Sequence, residues 1–175
     1  MSENTPFPQN HLNWATAVFG AEAARELTAN MRLEITEKEN SAELADDGTI
    51  TVRLTHLAVH DPYVTVHEFA HALNGLWHPE LSQKCSVAQA EACAALAEMV
   101  ADFYLPAEIG LPRKLNRTAY WKTMAGIDPM LKEAMMISGN AYMAGAHLDL
   151  KRGFQGILAG LYNVQQAEAE NMVRH

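Results

Sequence analysis

Apolar residues recur every three to four positions from His11 onward, at Leu12, Ala15, Val18, Phe19, Ala23 and Leu27, which predicts a helix over residues 11–31. The period then shortens to two. Leu33 and Ile35 alternate with charge in MRLEITE, and Ile50, Val52 and Leu54 alternate with Thr and Arg in TITVRLTH, so both segments read as strands. Asp46-Asp47-Gly48 is a turn signal between them, and two antiparallel strands with a polar outer face are expected. After Asp61-Pro62 the helical period returns over residues 63–77, where Asn74-Gly75 marks the end. HPELSQKCS reads as loop, and Ser82 or Ser86 is placed to cap a helix over 87–104, which Pro106 and Gly110 interrupt. Three more helical segments follow, at 116–125, 129–147 and 151–173. Residues 1–10, with two prolines among polar residues, read as a frayed lead-in. The order helix, strands, helices argues an α+β fold, and no repeat or linker divides residues 1–175 into more than one domain.

Composition narrows the function. A chain of 175 residues with 49% hydrophobic content can bury a core. A net charge of −8 with scattered basic residues gives no footprint for nucleic acid or an anionic membrane. The opening MSENTPFPQN has neither the basic nor the apolar region of a signal peptide, and no run is long enough to span a bilayer. Cys85 and Cys93 make no disulfide framework, and their spacing fits no usual zinc pair. Cys93, in AEACAALAEM, reads as a small core residue. The cytoplasm is the expected compartment.

Against this background His67-Glu68-Phe69-Ala70-His71 stands out. Residues four apart share a helix face, so two imidazoles can meet one metal ion while Glu68 addresses water beside it, the mechanics of H-E-x-x-H in zinc hydrolases. A shuffled chain with these 8 histidines would carry the pattern only about 0.03 times. Catalytic zinc commonly takes three protein ligands and a water. Glu98, 27 positions past His71 in a segment rich in buried-type residues, is the leading third ligand. Asp102 follows it one turn later, where a carboxylate can orient a ligating imidazole. Glu91, 20 past His71, and His78, seven past it, are the alternatives.

Tyr120, Tyr142 and His147 are candidate donors to the oxyanion of a peptide tetrahedral intermediate, although core or surface packing is the stronger reading of each. His56 and His60 read as loop residues. Met124, Met130, Met135, Met136 and Met143 read as helix core filler.

HEFAHAL followed by EMVADFYLPAEIGL resembles the gluzincin-type zincin metallopeptidases. It is most similar to the C-terminal metallopeptidase domain of ArdC-type antirestriction and phage or plasmid polyvalent proteins, and more distantly to ImmA/IrrE-type peptidases. Thr118-Ala119-Tyr120-Trp121 and Asp128-Pro129-Met130-Leu131 extend the likeness, which covers residues 64–148. The family's Trp stands a few residues later than Trp121, and its single-stranded DNA-binding domain has no counterpart before residue 60, so DNA binding is not implied. The resemblance implies a zincin-like fold with Zn²⁺ on His67, His71 and Glu98, Glu68 as general base, and a protein or peptide substrate. TITVRLT would be the sheet edge that takes up an extended peptide. The rival expectation is a zinc-binding regulatory or antirestriction-type protein that engages a host protein without cutting it.

Overall fold

The structure, a computed structural model, describes residues 7–109 and 117–163. Among them are eight α-helices and one three-stranded mixed sheet, so the fold is α+β and mostly helical. The expected helix over 11–31 is two: α1 (Gln9–Phe19) and α2 (Ala21–Asn30). Gly20 between them sits at φ 92°, a conformation open to glycine and strained for any other residue. The lead-in is anchored where it is described, because the Phe7 ring packs on Phe69 with centroids 5.6 Å apart.

Strands β1 (Met31–Thr36), β2 (Ser41–Leu44) and β3 (Ile50–Thr55) lie in the order β1-β3-β2. The two strands anticipated from alternation are therefore not an antiparallel pair: β1 runs parallel to β3. The turn at Asp46-Asp47-Gly48 joins β3 to β2 instead, and β2 takes the antiparallel place. SAEL has weak strand propensity, which is why it went unnoticed. Ile50, Val52 and Leu54 are buried as their alternation requires. Arg53, on the opposite face, pairs with Glu34 of β1 and Glu43 of β2.

The motif helix α3 (Pro62–Trp77) starts at Asp61, whose carboxylate accepts from the Tyr63 and Val64 amides, with Pro62 in the first turn. A short helix, α4 (Pro79–Lys84), occupies the expected loop. Ser86 and Gln89 then form a reciprocal capping box: the Ser86 amide donates to Gln89 Oε1 and the Gln89 amide to Ser86 Oγ. Helix α5 (Val87–Ile109) continues past Pro106. Its residues 92–97 are all buried, so α5 is the central helix, although Phe103, expected inside, is exposed. Helices α6 (Arg117–Ala125), α7 (Pro129–Met143) and α8 (Leu150–Leu158) surround it. None of the methionines expected to fill the core of α7 is fully buried, and Met143 is exposed because it lies in the helix's last turn. Residues 164–173 of the last expected helix lie outside the described residues, as do 110–116.

Candidate metal centre

Helices α3 and α5 pack together along their length, and the site forms across that interface. His67 and His71, one turn apart, bring their Nε2 atoms to 3.1 Å. Glu91 reaches in from the first turns of α5, with Oε2 at 3.4 Å from His67 Nε2 and Oε1 at 3.3 Å from His71 Nε2. Three electron-pair donors thus face one point. A tetrahedral zinc ion with bonds of about 2.0–2.1 Å separates its ligand atoms by about 3.3–3.4 Å. The two Nε2 atoms, 3.1 Å apart, stand just below that value, each lies 3.3–3.4 Å from a different oxygen of Glu91, and two imidazoles with a carboxylate are a zinc-type donor set.

The carboxylate that approaches both Nε2 atoms is that of Glu91; Glu98 lies elsewhere. Glu91 and Glu98 are seven residues apart on α5, so both face α3, but Glu98 lies two turns deeper. There it is fully buried, and its Oε1 is 2.7 Å from Nδ1 of His67, the nitrogen turned away from the cluster. A carboxylate can only accept here, so Nδ1 carries a proton, and in the neutral ring Nε2 is left with its lone pair. Glu98 occupies the orienting position expected for Asp102. Asp102, one turn on, is instead 3.4 Å from the Tyr63 hydroxyl, which donates to it. The indole N–H of Trp121, a residue not expected to belong to the site, donates to Glu98 Oε2 at 2.6 Å. Its ring lies nearly parallel to that of His67. The directly adjacent Tyr120 drew notice, but no sequence periodicity marks Trp121 as reaching a carboxylate on another helix.

Charge in the cluster is strongly coupled. Burial alone would lower the His67 pKa, but the Glu98 hydrogen bond and charge, with Glu91 and Glu68, carry it above the ordinary histidine value. Burial would raise Glu91, yet the His71 hydrogen bond and the two imidazoles hold it below. Glu68 goes the other way: it is buried, and desolvation lifts its pKa despite the two neighbouring histidines.

His67, Glu68, His71 and Glu91 line one wall of a cleft of about 690 Å³. Ser41 and Ala42 of β2, with Lys38, Glu39 and Asn40 before it, line the same cleft. β3, the edge anticipated for peptide docking, is the middle strand; the edge strand at the cleft is β2, which among the described residues has no further strand neighbour. His78 is turned away, its Nε2 bonded to the Lys151 carbonyl at 2.8 Å. Tyr142 and His147 stack on each other with centroids 4.0 Å apart, and His147 borders a different cavity with Trp77 and Lys151. Neither they nor Tyr120 line the cleft. His56 is exposed, 3.6 Å from Glu37. Cys93 is a core residue as expected, its thiol pushed up by burial.

No protein-family model matches this chain, and comparisons with curated proteins and with solved structures likewise find no match.

Proposed function

We propose that this chain is a zinc-dependent peptidase with a zincin-like fold. One observation carries the reading: His67 Nε2, His71 Nε2 and the Glu91 carboxylate converge within 4.8 Å of one another, with Glu68 lining the same cleft. His67, His71 and Glu91 would hold the metal. Zinc, when bound, supplies a Lewis acid that acidifies water toward neutral pH and polarises a carbonyl. Glu68 would take the proton from water and return it to the leaving amine. A carboxylate raised by burial is a better base for that task than an exposed one. Glu91 would neutralise part of the ion's charge, and Glu98 would keep His67 in its ligating tautomer.

The outer edge of β2 supports an extended peptide as substrate. A strand added there would run past Ser41 and Ala42 and cross the cleft in front of Glu68. No helix among the described residues is long and apolar enough to cross a membrane. Both cysteines are unpaired, in keeping with a reducing, cytoplasmic setting.

Protein purified without added zinc should carry one zinc per chain by elemental analysis. Glu68→Gln should keep that zinc and the melting temperature, while turnover of a peptide library falls by at least about 100-fold. Absence of zinc from the wild type overturns the reading. Zinc-loaded wild type that cuts no peptide would make this a regulatory binding protein built on the same centre.

A further inference from the structure

We propose that Trp121 is a positioning residue of this centre, acting through Glu98 to preset His67 for metal capture. The inference rests on the metal-site reading above and adds a component contributed by α6. Three contacts on the same residues support it. The Trp121 indole N–H donates to Glu98 Oε2 at 2.6 Å, Glu98 Oε1 accepts from His67 Nδ1 at 2.7 Å, and the indole lies 13° from parallel to the His67 ring at 6.1 Å between centroids. Trp121 and Glu98 are both buried, so water does not compete for either bond.

The chain has a definite polarity. An indole N–H only donates, and a carboxylate only accepts. With Trp121 on one oxygen, the other faces Nδ1, the Nδ1–H tautomer is selected, and the Nε2 lone pair is turned toward His71 and Glu91. Stacking against the indole face restrains rotation of the imidazole about the same direction. Trp121 is the fully buried residue among the described side chains of α6, so the seating of that helix and the aim of His67 depend on one side chain.

The polarity makes a rescue experiment possible. In Glu98→Gln the single amide oxygen stays with the Trp121 N–H, and the amide NH₂ faces Nδ1. His67 then switches to the Nε2–H tautomer. Adding Trp121→Phe frees the amide to turn its oxygen toward His67 and brings the Nδ1–H tautomer back. The measurement is ¹⁵N NMR of the His67 ring in metal-free protein, at a pH where it is neutral, for wild type, Trp121→Phe, Glu98→Gln and the double variant. Zinc affinity is measured in parallel by competition with a chelator. Wild type should be Nδ1–H, Glu98→Gln Nε2–H, and the double variant Nδ1–H. Zinc affinity should fall about 10-fold in Trp121→Phe and toward about 100-fold in Glu98→Gln, with partial recovery in the double variant. Phe preserves the ring stack and most of the volume, so a wild-type circular dichroism spectrum in Trp121→Phe certifies the fold. A Glu98→Gln protein whose tautomer is unchanged, or a double variant no different from it, overturns the proposal. Because the tautomers are read without metal, a wild type that binds no zinc sinks the peptidase reading and leaves this test standing.

Discussion

Glu91 and Glu98 touch the same imidazole, yet their removal should have opposite signatures. Glu91 sits at the cleft wall, partly exposed, and touches the two nitrogens that face each other. Glu91→Ala should therefore cut zinc affinity by more than the roughly 10–100-fold that an orienting partner contributes, with little change in melting temperature. Glu98→Ala should lower the melting temperature as well, since it leaves the buried N–H groups of His67 and Trp121 without an acceptor at about 1–3 kcal/mol each. Chelator competition and thermal melts on both variants separate the roles, and undiminished affinity in Glu91→Ala would remove it from the ligand set. His11 is a second residue with a readable consequence. It is buried between α1 and the Val59 carbonyl, 2.7 Å from Nε2, and burial lowers its pKa, aided by the charge of His60 and opposed by that bond. The folded state thus favours neutral His11, while the unfolded chain titrates near the ordinary value of about 6.5. Its contribution to stability is complete above that pH and is lost as pH falls through the lowered folded value. His11→Gln can keep a donor to Val59 without a titrating group, so its melting temperature should fall less between neutral and mildly acidic pH than that of wild type. Parallel curves for the two proteins would show that His11 carries no such load.

At the level of elements, most helices were legible, the break at Gly20 and the short α4 excepted, and the contacts between them were not. Asp61-Pro62 announces α3, and H-E-x-x-H places His67 and His71 on one of its faces, because both follow from local geometry. The choice between Glu91 and Glu98 depends on how far α5 slides along α3. Two carboxylates seven residues apart share a face at every register, so spacing alone leaves both open. Asp102 and Trp121 exchanged significance for the same reason, since only packing decides which side chain meets Glu98. The start of α5 is tied to the end of α8 by Gln89. Beyond its box with Ser86, the Gln89 amide donates to the Ile157 and Leu158 carbonyls at the end of α8. Gln89→Ala should cost about 1–2 kcal/mol in urea unfolding, more than the loss of a single cap, because two helix ends lose partners. A change within a few tenths of a kcal/mol would mean that water replaces Gln89 at both ends.

For the whole molecule, the order of segments was enough for the α+β class. Strand direction was not, because alternation reports which face is buried and is silent on which neighbour lies alongside. The resulting order, β1-β3-β2, places the last strand of the three in the middle, so β1 has no strand to join until β3 has been laid down. β2 and β3 are joined by a tight turn, whereas β1 pairs with residues 19 positions away, Met31 with Ile50. The smaller entropic cost of the short closure makes the β2–β3 hairpin the early event and the arrival of β1 the late one. Gly48 is the lever on the early event: it stands at φ 82° with open space around it, so Gly48→Ala adds backbone strain of about 1–2 kcal/mol and no clash. In stopped-flow chevrons that variant should chiefly slow folding, while Leu33→Ala on β1 should chiefly speed unfolding. The reverse assignment would mean that the parallel pair nucleates the sheet. With the hairpin first, the β2 side of the cleft exists before β1 arrives, so that side takes shape ahead of the strand that finishes the sheet.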